Sequence, residues 1–255
     1  MTNERPLNSR RPGTLLAFPY LVGYPDGWLV QERFHRERRE ERRHDTLLLL
    51  QHQPVYTLGR RTAPAHLLKG KEALLATGAT VESVNRGGSV TYHGPGQLVG
   101  YPIVRVSSFA AGPKEYVWLL EEVLLRTLSL WDITGRRLAG KPGIFVESAH
   151  GMAKIASIGV RVDHGVSLHG FSLNTDIDLT RFSHIVPCGL YGYQTTSMAA
   201  LCQTSIPMNS IMRQVAEQFG ALFHLEWETP FRHVISDRDF PQLMEQFLNE
   251  QVFHA

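Results

Sequence analysis

Two hydrophobic periods interleave along the chain. Residues 14–22 (TLLAFPYLV) are apolar almost throughout and predict a strand. Residues 46–53 (TLLLLQHQ) run apolar, then polar, as a central strand covered on both faces does. Between them, residues 27–43 predict a helix with Asp26 as its N-cap. Residues 114–131 are the clearest helix, because Val117, Leu120, Leu124, Leu128 and Trp131 share one face. Residues 210–224 repeat the pattern with Ile211, Val215, Phe219 and Leu222, and 236–250 predict a last helix. A short helix lies within 63–79, and 80–85 alternate as a strand does. Residues 143–148, 154–163 and 165–176 then arrive as consecutive strands. Helices interleaved with a meander of strands predict an α/β (α+β) fold, a mixed β-sheet flanked by helices. Residues 1–12 are polar and rich in Pro and Arg, and are expected to be a disordered tail.

Composition narrows the function classes. A chain of 255 residues with 43% hydrophobic and 20% charged residues can bury one sizeable core. Two cysteines without a CxxC pair argue against a disulfide framework or structural zinc and for a reducing, cytoplasmic setting. The first residues lack an apolar core, and the longest apolar runs are far too short for a membrane span, so neither a signal peptide nor membrane insertion is expected. A net charge of +2 gives no reason to expect nucleic acid, although a local basic patch could meet an acidic protein. Six Arg and four Glu in residues 32–43 could fork phosphates; the better reading is a solvated helix face with i,i+4 ion pairs.

Four stretches carry chemistry. The glycine-dense segment RGGSVTYHGPGQ (86–97) lets backbone approach a ligand, with Arg86 and His93 as its polar groups. It matches neither GxGxxG nor the P-loop, and its structural alternative is a glycine-rich hairpin. In KIASIGVRV (154–162), strict alternation puts Lys154 on one face with Ala156, Ile158, Val160 and Val162. A lysine there either snorkels out or sits desolvated, ready for proton transfer. SLHGFSLN (167–174) carries His169 and Asn174; a core histidine is the plainer reading of His169. Cys188, between Pro187 and Gly189, sits in a turn that leaves sulfur accessible and brings backbone N–H groups near it, whereas Cys202 fits a buried structural cysteine. A reactive thiol needs a partner favouring thiolate, and His93, Lys154, His169 and His184 all remain candidates.

Taken together, PVYTLGRR (54–61), RGGSVTYHGPGQLVGYPI (86–103), GIFV (143–146), KIASIGVRV (154–162), HGFSLN (169–174) and IVPCGLYGYQTTSM (185–198) resemble the lipoyl(octanoyl) transferases of lipoate biosynthesis. The resemblance runs in order over residues 14–225. It implies the biotin/lipoate protein ligase-like fold, with an acyltransferase domain over 13–225 and a helical extension over 226–255. It implies catalysis by Cys188 as nucleophile and Lys154 as the group that lowers the thiol pKa and acts as acid and base. It implies substrate contacts from Arg86, Gly87, Gly88, Ser89, Val90, Thr91, Tyr92 and His93, from Ser157, Ile158 and Gly159, and from Gly170, Phe171 and Ser172. The donor would be octanoyl-acyl carrier protein. The acceptors would be lipoyl domains of 2-oxoacid dehydrogenase subunits and the glycine cleavage H protein. No metal or cofactor is implied, and a monomer is expected. Because the carrier is acidic, Arg60, Arg61, Lys69 and Lys71 are the expected docking residues. Ser89 departs from the family, where an acidic or amide residue is frequent, and the N-terminal tail and the Arg/Glu-rich helix look particular to this chain. The rival readings are an ATP-dependent lipoate or octanoate ligase of the same fold, a cysteine hydrolase, and a silent lipoyl-domain binding module.

Overall fold

The computed structural model describes residues 10–148 and 151–228. In chain order the elements are β1 (Arg11–Val22), α1 (Tyr24–Arg39), β2 (Asp45–His52), β3 (Val55–Leu58), α2 (Gly70–Leu75), β4 (Thr80–Ser83), β5 (Thr91–His93) and β6 (Gln97–Ile103). They continue with α3 (Pro113–Ser129), β7 (Gly135–Leu138), β8 (Lys141–Ser148), β9 (Gly151–Asp163), β10 (Val166–Asn174), β11 (Gln194–Thr195), α4 (Met198–Cys202), α5 (Met208–Leu222) and β12 (Leu225–Trp227). A nine-stranded sheet runs in the order β12-β1-β2-β6-β10-β9-β8-β7, with β11 beside β9, and a three-stranded sheet runs β4-β3-β5. β12, β1 and β2 are parallel; β2, β6, β10, β9, β8 and β7 pair antiparallel, so the sheet is mixed.

β2 shows why an unbroken apolar run becomes a central strand. Leu47 and Leu49 join the core under α3 and α5, while Leu48 and Leu50 join the core under α1. All four are 0–1% exposed, each worth about 2 kcal/mol of burial. The expected stripe on α3 is borne out: Leu120, Leu124 and Leu128 are fully buried, with Val117 and Trp131 packed at its edge. On α5, Ile211, Val215 and Phe219 do the same, with Leu222 at the margin.

Several boundaries differ from the sequence expectations. β1 begins at Arg11, so residues 11 and 12 belong to a strand held by β12 and not to a tail. α1 is capped by Gly23 and not by Asp26, because Pro25 is tolerated in the first turn, where no N–H partner is lost. α1 stops at Arg39, and Glu41 is left-handed just beyond it. The Arg/Glu run is only partly a solvated face. Glu37 is buried against Arg33 and Arg43, Arg38 holds the buried Asp45 at 2.7 Å, and the Arg43 guanidinium lies 3.7 Å over the Phe34 ring. Residues 225–227 add a strand to the sheet edge, and the helix expected at 236–250 lies outside the described residues.

The glycine-dense segment is not a hairpin within one sheet. β5 belongs to the small sheet and β6 to the large one, and residues 94–96 carry the chain between them. Gly96 has φ +80°, and a Cβ there would meet the Asp176 carbonyl oxygen at 2.2 Å, so only glycine makes this crossing. The crossing sets His93 at the seam between the two sheets.

Candidate active site

At that seam lies a cavity of about 200 Å³. Its walls come from the sheet face under α1, the glycine loop and the turn at 187–189. Lys154, Cys188, Arg86, Gly88, Thr91, His93, Ser157, Ile158, Gly159, Gly170, Phe171 and Ser172 all line it, so most of the residues named from sequence meet in one place. Gly87, Ser89, Val90 and Tyr92 do not line it. Val90 and Tyr92 fill the core of the small sheet, and the Ser89 hydroxyl donates to His66 Nδ1 at 2.6 Å. Gly87 instead donates its N–H to the Val160 carbonyl at 3.2 Å.

Lys154 arrives by a route that alternation does not show. β8 pairs Ile144 with Ala156 but Phe145 with Lys154, so Ile155 is an extra residue in β9. This β-bulge shifts the pleat by one. Ile155 and Ala156 both join the core under α3, and Lys154 comes to share the opposite face with Ser157. The apolar face expected for Lys154 is therefore corrected. The side chain is 5% exposed; its Nζ donates to the Pro142 carbonyl at 2.8 Å and lies 5.1 Å from the Phe145 ring centre. An ammonium has three donors, so one such bond leaves capacity for a ligand. Gly143, with φ +116°, makes the approach possible: a Cβ there would sit 2.9 Å from Lys154 Cε and 2.3 Å from the Ala156 oxygen. Its N–H donates to the buried Glu121 carboxylate at 3.0 Å, which Arg137 holds at 3.1 Å. Glu121 was not expected from sequence, and its one signal was a carboxylate beside the apolar stripe of α3.

Cys188 sits in a single 3-10 turn with φ +58°, followed by Gly189 at +68°. A left-handed non-glycine residue costs about 1–2 kcal/mol, held here by the Cys188 N–H bond to the Val90 carbonyl at 2.9 Å. The Gly189 and Leu190 N–H groups bond to Val186 and Pro187 oxygens. Beside the thiol, then, the Cys188 N–H is taken by Val90 and those of Gly189 and Leu190 by the turn itself. The half-buried sulfur lies 3.7 Å from the Ser157 hydroxyl.

Besides Lys154, the polar surroundings are neutral imidazoles and the buried Arg86. The Arg86 guanidinium bonds to Thr57 through its carbonyl (2.9 Å) and hydroxyl (2.8 Å) and to the Gly87 oxygen (3.0 Å). Burial lowers its pKa below the ordinary guanidinium value. Gln97 Nε2 donates to the Tyr92 carbonyl and to Asn174 Oδ1, which leaves Gln97 Oε1 to accept from His93 Nδ1–H at 2.7 Å. His93 Nε2 is then an acceptor without a proton. Burial, then the charges of His52 and Arg86, push His93 down to about 3. His52, buried and pushed down to about 4, donates from Nδ1 to the Val22 carbonyl and accepts from the Tyr101 hydroxyl at 2.7 Å. Tyr24 and Tyr101 line the cavity with no sequence signal that singled them out. His184, the remaining sequence candidate, stands outside its walls, and Cys202, expected to be buried, is only partly so. Among the described residues no helix is long and apolar enough to cross a membrane.

Comparisons with known proteins bear on the family and the fold. The family model of the lipoyl protein ligase A/B catalytic domain matches residues 24–220. The octanoyltransferase of Acidobacterium capsulatum is 40% identical over 213 residues, covering 79% of this chain and 87% of that one. The octanoyltransferase of Roseiflexus sp. is 42% identical over 207 residues, covering 81% and 85%. The fold is shared with a lipoate-protein ligase A bound with ATP (TM-score 0.69, 14% identity, 94% and 95% covered). It is shared also with a bipartite lipoate protein ligase of Thermoplasma acidophilum (TM-score 0.66, 13% identity, 93% and 92% covered). Identity at the level of the two octanoyltransferases, sustained over most of both chains, leaves one conclusion: the chain belongs to the lipoyl protein ligase A/B catalytic family and groups with its octanoyltransferases.

Proposed function

We propose that this octanoyltransferase of protein lipoylation works through a thioester on Cys188, with octanoyl-acyl carrier protein as donor and a lysine of a lipoyl domain as acceptor. The observation that carries the reading is the pairing of a strained, half-buried thiol with a lysine turned by a bulge onto the wall of the same cavity. The Cys188 thiolate attacks the donor's thioester carbon, a new C–S bond forms, and the departing carrier thiolate takes a proton from the Lys154 ammonium. The neutral amine of the acceptor lysine then attacks the Cys188 thioester. A C–N bond forms, the amine proton passes to Lys154, and Cys188 leaves as thiolate. Cys188 and Lys154 end as they began, thiolate and ammonium, and the net proton transfer is from the acceptor amine to the carrier thiol. The first step exchanges one thioester for another and the second converts a thioester to an amide, so the sequence runs downhill without ATP.

Lys154, the Ser157 hydroxyl and the N–H groups of the glycine loop are the candidate oxyanion partners, since those of Cys188, Gly189 and Leu190 already have partners. Arg60, Arg61, Lys69 and Lys71 are exposed, and Arg61 reaches the cavity mouth, a fitting rim for an acidic carrier. The test is intact-protein mass after incubation with octanoyl-acyl carrier protein and no ATP. A hydroxylamine-labile octanoyl adduct is expected on the native chain and not on Cys188→Ser. Lipoyl-domain acylation that requires free octanoate and ATP, with no adduct, would transfer the reading to a ligase. Release of free octanoate in preference to acylation of a lipoyl domain would transfer it to a hydrolase.

A further inference from the structure

Beyond the far end of the acyl cavity lies a second one of about 410 Å³, between α1 and residues 82–85. Pro25, Trp28, Val84 and Asn85 line it, and Tyr24 and His169 belong to the walls of both cavities. His169 is fixed as the partition. Its ring stacks on Trp28, with centroids 4.9 Å apart and planes 17° apart. Its Nε2–H donates to Asn85 Oδ1 at 2.7 Å, and its backbone N–H donates to Gln31 Oε1 at 2.9 Å. It is 2% exposed and left-handed (φ +58°) within β10. Burial, with the charges of Arg86 and Arg161, pushes its pKa down to about 3, so the partition is an uncharged ring that can meet a hydrocarbon tail.

Strand register supplies a ruler. Ser157 stands beside the Cys188 sulfur, and Val160 pairs with His169 three residues further along β9. Three residues of strand rise about 10 Å, close to the length of an extended octanoyl chain. Between the two points Ile158 pairs with Phe171 and Gly159 with Gly170, all four in the cavity wall, and the Gly87 oxygen and Arg86 side chain lie over Gly159.

We propose that His169, clamped by Trp28 and Asn85, is the end stop of the acyl slot and sets the longest acyl group that Cys188 carries, the chamber behind it being of use only to longer chains. The proposal rests on the acyl-thioester reading above. The experiment offers acyl carrier protein loaded with hexanoyl to tetradecanoyl chains, without ATP, and reads the rate of adduct formation on Cys188 by intact mass. The native chain is expected to fall off beyond octanoyl. His169→Ala is expected to raise the dodecanoyl-to-octanoyl ratio by about tenfold or more, the worth of a few buried methylenes. Trp28→Ala, which unclamps the ring, is expected to shift the ratio less and in the same direction. His169→Gln, which keeps bulk and a donor toward Asn85, should hold the octanoyl preference. Normal octanoyl loading with an unchanged chain-length ratio in both alanine variants would overturn the end stop while leaving the thioester intact. If the native chain takes no acyl group from any donor, it is the thioester reading that fails, and the end stop falls with it. Should His169→Ala prove unfolded by circular dichroism, the ratio in Trp28→Ala decides.

Discussion

The two faces of the large sheet are built on opposite principles. The face under α3 and α5 is an unbroken apolar core that includes Leu47, Leu49, Leu98, Leu124 and Phe219. Under α1 the apolar core is smaller, and it gives way to buried Arg86, Lys154, His52, His93 and His169, each with a hydrogen-bond partner. The same strands serve both. β9 sends Ile155 and Ala156 to one side and Lys154 and Ser157 to the other. The helix-covered face supplies the stability against which buried cations and left-handed residues on the other face can be held.

That division can be tested by changing one face at a time. Lys154→Met should cost about 10²–10⁴-fold in transfer rate, the usual worth of a positioned acid–base group, with a thermal midpoint at or above the native one because a buried cation is removed. A low midpoint with activity retained per folded molecule would assign Lys154 to the scaffold. Leu124→Ala, on the opposite face, should cost about 2–5 kcal/mol in denaturant melts, with turnover per folded molecule unchanged. Loss of turnover in the folded fraction would mean the two faces are coupled.

Gly143→Ala bridges them. Its Cβ would collide with the Ala156 oxygen and Lys154 Cε, and its φ of +116° suits glycine. About 1–3 kcal/mol of stability should go, together with part of the activity as Lys154 is displaced. Full activity would show that the lysine needs no support from β8. A separate effect is expected from pH. His52 and His93 are pushed down to about 4 and 3 from an ordinary 6.5, so the unfolded chain binds more protons between those values. Their contribution is complete above about pH 6.5 and is lost as pH falls toward 4. Thermal midpoints should therefore decline over that window, and His93→Gln should flatten the decline. An unchanged slope would remove His93 from the account.

Much of the architecture is legible in local pattern. The stripe of α3 and the leucine run of β2 are short-range signals, and burial follows from them directly. The Pro-Cys-Gly turn likewise marks Cys188 without any tertiary information. Lys154 was found as a residue but placed on the wrong face. One bulged residue reverses the pleat, and that bulge is set by pairing with β8 and not by anything inside KIASIG. Gln97 and Asn174, which orient His93, lie 77 residues apart and meet only because β6 and β10 are neighbours. Tyr24, Tyr101 and Glu121 carry ordinary side chains whose meaning depends entirely on what stands opposite.

Local pattern alone disclosed the longer helices and strands, which sides of α3 and α5 are buried, and that an unusual thiol and a glycine-dense loop exist. Periodicity and turn chemistry are local, and a linear reading captures them. Tertiary structure alone decided that Lys154 faces the thiol's cavity, that the N–H groups of the turn at Cys188 already have partners, and that His169 lies in the walls of two chambers. Each of these depends on the register between strands distant in the chain, where a shift of one residue exchanges the two faces of a sheet.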